Sequence, residues 1–160
     1  MTKIVKMDGY EIHHPSVTLD SKVDKEGGLS LPEIEKRMSK KMDSLGEQFL
    51  AGIPAVIENI QGALNQLENG SGGDAEKAIL FRQGHDLKGM GGSFGYPIMG
   101  TIGEGLCELT NDEVNTSSMN LPLIRVHLDI LGYVMAKRIK DDTDPNAVPI
   151  LNALSGAKPK

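Results

Sequence analysis

Apolar residues recur at steps of three and four along four stretches of this 160-residue chain, with short polar turns between the stretches. Such spacing places the apolar side chains of each stretch on one face of an α-helix. Gly52 and Pro54 predict a kink in the first stretch, or two helices in line, because proline lacks an N–H and crowds the preceding turn. The four predicted helices cover residues 32–68, 74–94, 97–109 and 121–139.

The ends of these helices carry capping and turn residues. Ser30 and Asp74 are predicted N-caps, since their side chains can accept hydrogen bonds from the free N–H groups of a first turn. No strand alternates with the helices, which excludes doubly wound α/β folds, and short helix–helix loops favour antiparallel neighbours. We therefore predict an all-α fold, an antiparallel up-and-down four-helix bundle with an additional N-terminal helical segment and an extended or disordered N-terminal arm.

The sequence divides into three predicted parts. Residues 1–30 have little helical periodicity, and Pro15 blocks a helix through residues 10–19, so this part is predicted to be an extended or flexible arm. Residues 31–140 form the predicted helical bundle. Residues 141–160 are predicted to be a C-terminal turn and tail, with one short helical turn inside it.

Composition and charge argue against several functions. The formal net charge of −5 argues against a nucleic-acid-binding surface. The single cysteine, Cys107, excludes an internal disulfide framework and a cysteine-based zinc site; it is predicted to pack as a small hydrophobic residue. His13 and His14 have no third ligand at useful spacing, so no metal site is predicted. No stretch approaches roughly 18 apolar residues, and no signal peptide is apparent, so we expect a cytoplasmic protein without membrane contact.

The predicted helix at residues 74–94 has two distinct faces, because successive side chains are about 100° apart around a helix. The core face is predicted to hold Leu80, Leu87, Met90 and Phe94. The opposite face is predicted to hold His85 together with Phe81, Lys88, Gly89 and Gly92. His85 is therefore expected outside the core with a cation one turn ahead of it, whereas His127 in the last helix lacks such a context and is predicted to be structural.

Four glycines within two turns of this helix need a reason, since each costs about 0.5–1 kcal/mol relative to alanine inside a helix. Gly84 and Gly91 fall nearer the core side, where close helix packing explains them. Gly89 and Gly92 flank His85, where missing side chains would let another surface approach the imidazole.

These residues suit phosphoryl transfer. A neutral imidazole nitrogen is nucleophilic near pH 7, and phosphoryl transfer needs mainly in-line positioning and a cation on the phosphoryl oxygens. Lys88 could supply that cation to a phosphoryl group on His85. The glycines at 89–95 do not form a Walker-type loop, because the Gly-Lys-Ser/Thr ending is missing. No nucleotide site is predicted.

The run His85-Asp86-Leu87-Lys88-Gly89, followed by Gly95 ten residues after the histidine, resembles the histidine-containing phosphotransfer family of two-component phosphorelays. The resemblance covers roughly residues 45–140, including the order of the helices. It implies a four-helix bundle in which His85 is the phosphoacceptor, phosphorylated at Nε2, and Lys88 stabilises the phosphoryl group. Phe81, Gly89 and Gly92 would then lie on the face that docks the partner, and Gly95 would have a structural role. For Phe81 two interpretations stay open: its ring belongs to an exposed apolar patch on that face, or it packs into the edge of the bundle.

The resemblance also implies the partners. They would be the receiver domains of response regulators, whose aspartates give and take the phosphoryl group, with a hybrid histidine kinase as a possible further partner. The chain would be a monomeric phosphocarrier without kinase activity or a cofactor of its own, and any Mg²⁺ would be bound by the receiver.

One position departs from the family pattern. Family members often carry Gln or Glu about 22 residues after the histidine, where it can hydrogen-bond the imidazole, but this chain has Cys107 there. Glu104 and Glu108 are close in sequence, yet helical geometry does not ensure that either reaches His85. An alternative function therefore stays open, that of a non-phosphorylated adaptor or inhibitor that binds a receiver or histidine kinase. A helical enzyme of unknown chemistry is a weaker alternative, because no second group of acid, base or metal-ligating residues is apparent.

Overall fold

The fold of the chain, taken from a computed structural model that describes residues 3–14 and 27–156, is mostly helical, which confirms the predicted class. The strands are β1 (Lys3–Met7) and β2 (Tyr10–His14). The helices are α1 (Leu31–Glu68), α2 (Asp74–Gly91), α3 (Pro97–Thr110), α4 (Leu121–Lys137) and α5 (Ala147–Gly156), with a 3₁₀ turn at Thr116–Ser118. The chain divides into two compact units, residues 1–38 and 39–160.

The first unit contains a β-hairpin. β1 and β2 pair antiparallel, and Met7 lies opposite Tyr10 across a two-residue turn. Gly9 has a φ of 92°, a conformation that glycine adopts without steric cost, and Asp-Gly is a favoured pair in such turns. Residues 10–14 of the extended segment predicted at residues 10–19 form β2, but β1, its partner strand, was not predicted. Residues 15–19 of that segment lie outside the described residues.

Helix α1 is a single helix, so the alternative of two helices in line is wrong. Ser30 precedes its first turn as predicted, but its N–H and hydroxyl both donate to the carboxylate of Glu33, at 2.8 and 2.7 Å. Pro54 is exposed inside the helix, while Ile53 and Ile60 are buried in the core. Packing on both sides of Pro54 therefore outweighs the one backbone hydrogen bond that proline removes.

Helix α2 begins at Asp74, the residue that was predicted to be its N-cap. Gly73 is the N-cap, and its N–H donates to the carboxylate of Glu76 at 2.7 Å. Asp74, the predicted cap, lies in the first turn, where its carboxylate accepts a hydrogen bond from the Thr116 hydroxyl. The Asp74 side chain is thus used in a tertiary contact, and Glu76 takes over the capping.

The end of α2 explains Gly95. The helix ends at Gly91, three residues before the predicted end, and a turn follows. In that turn the Tyr96 N–H donates to the Gly91 carbonyl at 2.8 Å, and the Gly95 N–H donates to the Gly92 carbonyl at 3.3 Å. This pair of bonds is a Schellman motif, which needs a left-handed residue, and Gly95 supplies it with a φ of 82°.

The remaining helices follow the predicted order with shifted ends. Pro97 begins α3 as predicted, since proline suits the first turn of a helix. Helix α4 ends at Lys137, two residues earlier than predicted, because Arg138 takes a left-handed conformation with a φ of 54°. The expected short turn near the C-terminus is a ten-residue helix, α5, whose Ile150 and Leu154 side chains are buried.

One hydrophobic core joins the helices of the second unit, residues 39–160. Helix α2 packs along α3, which also contacts α4 and α5. Leu80 and Leu87 lie in the core as predicted, but Met90 is 41% exposed, so its predicted core position is wrong. Met90 lies about 80° around α2 from Leu80, at the edge of the core face. Phe94 is partly buried, with its ring stacked 5.4 Å from that of Phe49.

Within the described part of the chain, no helix combines the length and the apolar character that a membrane crossing requires.

His127 on α4 is a buried histidine, 3% exposed. Its Nδ1 lies 2.8 Å from the Leu123 carbonyl oxygen, to which it donates when Nδ1 carries the proton. The ring also lies against Gly105 of α3, where an added Cβ would collide with it. These contacts fit the structural role predicted for His127, and they require the glycine at position 105.

Burial lowers the pKa of His127, which gives the fold a defined pH dependence. Below about pH 6.5, the ordinary value for histidine, the unfolded chain takes up a proton that the folded chain binds less strongly. The free energy of unfolding should therefore fall as the pH drops below about 6.5, and level off below the lowered pKa of the folded state. Urea unfolding between about pH 7.5 and 5.5 measures this slope.

The His127→Asn variant is the control for this slope, because the Asn amide can donate to the Leu123 carbonyl but does not titrate. We expect the variant to have a lower stability and a flatter pH profile. An equal slope in the two proteins would show that His127 is not its source.

Candidate functional site

His85 lies on the exposed side of α2, with 71% of its side chain exposed. The Phe81 ring, one turn earlier, has its centroid 6.2 Å from that of the imidazole, and Lys88 follows one turn later. Gly89 and Gly92 are exposed on the same side. We call these five residues, Phe81, His85, Lys88, Gly89 and Gly92, the His85 face. The structure thus brings together the exposed residues that the helical spacing predicts.

The Asp86 carboxylate lies closer to the imidazole than its position in the helix suggests. Adjacent residues of a helix point about 100° apart, so helical spacing assigns Asp86 no catalytic role beside His85. In the structure its Oδ1 is 4.0 Å from Nδ1 of His85. This distance is too long for a hydrogen bond, so Asp86 can act on the imidazole only through its charge.

The Lys88 ammonium is bound by a carboxylate of the neighbouring helix. Its Nζ lies 3.1 Å from Oε1 of Glu104 on α3, and about half of each side chain is exposed. Hydrogen bonding to Glu104 raises the pKa of Lys88, so the ammonium is the form present at neutral pH. Glu104 is close in sequence to Cys107, but this ion pair was not predicted. The spacing of residues within one helix does not predict which residues of another helix they contact.

The glycines of α2 and of the turn that follows it fall into two groups, as predicted. Beside His85, a Cβ on Gly89 or Gly92 would have no described atom within 4 Å apart from those of the adjacent residues and of the nearby helix backbone. On the other side of α2, a Cβ on Gly84 would lie 2.8 Å from the Leu106 Cβ, and one on Gly91 would lie 2.6 Å from the Gly100 nitrogen. The first pair therefore gives clearance at the His85 face, and the second lets α2 and α3 pack closely.

Cys107 does not replace the expected contact to the imidazole. The residue is half-buried, and its thiol lies 3.9 Å from the Phe81 carbonyl oxygen, to which it donates. Burial raises the pKa of Cys107, and the nearby Lys88 ammonium opposes this shift. The thiol is therefore the form present at neutral pH, and it contacts the backbone of α2.

Apolar surface lies on both sides of His85. Phe81 is 38% exposed and borders a cavity of about 430 Å³ that also involves Lys77 and Val114. On the other side, Met90 borders an apolar cavity of about 320 Å³ between α1 and α2. The other apolar side chains that line the second cavity are Leu45, Phe49, Ile53, Val56, Leu87 and Phe94. The exposure of Phe81 favours the interpretation that it belongs to an apolar surface patch.

Among the described residues, no group of three or more histidine, cysteine, aspartate or glutamate side chains is placed to hold a metal ion. His13 and His14 are exposed on β2, and Nε2 of His13 lies 3.4 Å from a carboxylate oxygen of Glu11.

Comparison with known proteins finds no match to this chain. The chain matches no protein-family model, and no curated protein and no solved structure shows significant similarity to it.

Proposed function

We propose that this chain is a histidine phosphotransfer protein, which relays a phosphoryl group between His85 and the aspartates of response-regulator receiver domains. The observation that carries the proposal is the 71% exposed imidazole of His85 on α2, with the Lys88 ammonium one turn away and no side chain at Gly89 or Gly92. An exposed nucleophile with open space around it and a cation beside it suits a reaction in which a second protein brings the phosphoryl group.

The proposed reaction needs no redox partner. The Nε2 lone pair attacks the phosphorus of a receiver aspartyl phosphate in line with the bond to the aspartate oxygen. The new N–P bond forms as that P–O bond breaks, the aspartate leaves as a carboxylate, and the ring proton stays on Nδ1 until solvent takes it. The reverse sequence returns the group to a receiver. Lys88 would hold the phosphoryl oxygens, and the receiver would bring any Mg²⁺.

The finer fold belongs to this proposal. We infer that α1 to α4 form an antiparallel up-and-down four-helix bundle, with α2 carrying His85 outward. The connections between α1 and α2 (residues 69–73) and between α2 and α3 (residues 92–96) are short, and residues of all four helices share one core. Because such a bundle buries its own core, a monomer is the expected state.

A direct test is incubation of the chain with phosphorylated receiver domains, followed by mapping of the modified residue. The expected product is an acid-labile, base-stable phosphoryl group on His85. Transfer of label to another residue, or no transfer from any of a wide panel of receivers, would count against the proposal.

A second candidate is a non-phosphorylated adaptor that binds a receiver or a histidine kinase through the His85 face. One observation favours it. The position where the family carries a polar residue that orients the histidine holds Cys107, whose thiol donates to the Phe81 carbonyl, and Lys88 pairs with Glu104. Binding of a receiver without any phosphorylation of the wild-type chain would favour this candidate.

Replacement of Lys88 by methionine tests its proposed role. The variant should accept a phosphoryl group from a phospho-receiver about 10- to 100-fold more slowly, which is the loss expected when a charge-assisted hydrogen bond is removed. Rapid-quench measurement of phosphotransfer gives the rate. The Lys88→Arg variant keeps the charge and should recover much of it, and equal losses in the two variants would argue against an electrostatic role.

A further inference from the structure

The ion pair between Lys88 and Glu104 connects the proposed phosphoacceptor to a residue on another helix. We propose that Glu104 is a positioning residue that regulates this site, because it competes with a phosphoryl group on His85 for the Lys88 ammonium. The inference rests on the proposed function, in which His85 becomes phosphorylated.

Geometry makes the competition direct. His85 and Lys88 are three residues apart on one helix, so their side chains are neighbours, about 5–6 Å apart at Cβ. The ammonium now lies 3.1 Å from Glu104 Oε1. An ammonium can donate to two acceptors at once, but Glu104 then adds its negative charge beside the phosphoryl oxygens. In either arrangement Glu104 disfavours the doubly charged phosphoryl group.

Exposure makes the competition mild. About half of the Lys88 and Glu104 side chains is exposed, and ion pairs in such settings change equilibria only a few-fold. A phosphoryl group on His85 can therefore draw Lys88 from Glu104 without a large penalty. Glu104 would bind the Lys88 ammonium while His85 is unphosphorylated. After phosphorylation, Glu104 would weaken the interaction between Lys88 and the phosphoryl group, which suits a carrier that must also donate that group.

Phosphorus NMR of the phosphorylated chain tests this inference. Phosphoramidate supplies the group: its P–N bond breaks, ammonia leaves, and an N–P bond to the imidazole forms. His13 and His14, which are also exposed, are first replaced by glutamine, so that His85 is the exposed histidine among the four in the chain. A pH titration of the phosphorus signal then gives the acid dissociation constant of the phosphoryl group.

The Glu104→Gln variant should raise this dissociation constant about two- to five-fold, because the doubly charged form gains the full interaction with Lys88. Glu108→Gln is the matched control, since Glu108 acts on Lys88 through charge alone and more weakly than Glu104; its effect should be smaller. In a Lys88→Met background, Glu104→Gln should raise the dissociation constant by a smaller factor, which is the effect of removing one negative charge alone.

An unchanged or lowered dissociation constant in Glu104→Gln would overturn the inference, as would the same increase with Lys88 absent. Chemical phosphorylation needs no receiver domain. The inference on Glu104 can therefore fail while transfer from phospho-receivers to His85 still occurs, and the proposed function can fail while the Glu104 effect is measured.

Discussion

Replacement of His85 by glutamine should abolish phosphoryl transfer to this chain and leave its fold intact. Glutamine has no nucleophilic nitrogen, so label from a phospho-receiver should fall below detection. The side chain is 71% exposed, and substitutions at such positions usually change the free energy of unfolding by less than about 0.5 kcal/mol. Radiolabel transfer and urea unfolding of the same preparation measure the two quantities.

The matched control is a chain in which the exposed histidines of β2, His13 and His14, are both replaced by glutamine. It makes the same chemical change at exposed positions, and it should accept label at the wild-type rate. Persistent labelling of the His85→Gln chain, or loss of labelling in the control, would place the phosphoacceptor elsewhere.

Replacement of His85 by glutamine should change binding to the receiver far less than it changes phosphoryl transfer. The His85→Gln chain keeps Phe81, Met90 and the clearance at Gly89 and Gly92, so receiver affinity should change by less than about tenfold. Calorimetric titration of wild-type and variant chains with one receiver separates docking from chemistry. An adaptor that is never phosphorylated would show the same binding but no label in the wild type.

The helical spacing predicted much of what the structure shows. It predicted the helical class, the order of α1 to α4 and the exposed position of His85, because burial of apolar side chains dominates the choice of helix faces. It also separated Gly84 and Gly91, which pack against α3, from Gly89 and Gly92. These features follow from one helix at a time, which is the information that periodicity carries.

Features that depend on a second element were missed. β1 pairs with β2 through backbone hydrogen bonds, and its mixed Lys-Ile-Val-Lys-Met sequence has no clear strand pattern, although Asp8-Gly9 is a hairpin signal. The partner of Lys88 lies on α3, and the end of α2 depends on the turn at Gly95. Tertiary contacts and turn geometry fix these details, and single-helix spacing does not contain them.

Close packing of α2 on α3 depends on glycines from both helices. A Cβ on Gly103 of α3 would lie 2.5 Å from the Gly84 carbonyl oxygen and 2.6 Å from the Lys88 nitrogen, both of them backbone atoms. A Cβ on Gly100, one turn earlier, would lie 3.6 Å from the Lys88 carbonyl oxygen, which is ordinary contact. Backbone atoms cannot rotate away as side chains can, so the two positions should respond very differently to the same substitution.

The Gly103→Ala variant should lose about 2 kcal/mol of unfolding free energy or more. Overpacking a core costs about 1–3 kcal/mol, and the cost is high here because α2 and α3 must separate. This cost exceeds the gain of up to about 1 kcal/mol that alanine brings over glycine in a helix. Urea unfolding measures the loss. Gly100→Ala is the control and should be neutral or slightly stabilising, so equal stabilities of the two variants would contradict the close approach at Gly103. Because Gly103 lies against the Lys88 backbone, separation of the helices should also move Lys88 away from Glu104 and weaken their ion pair.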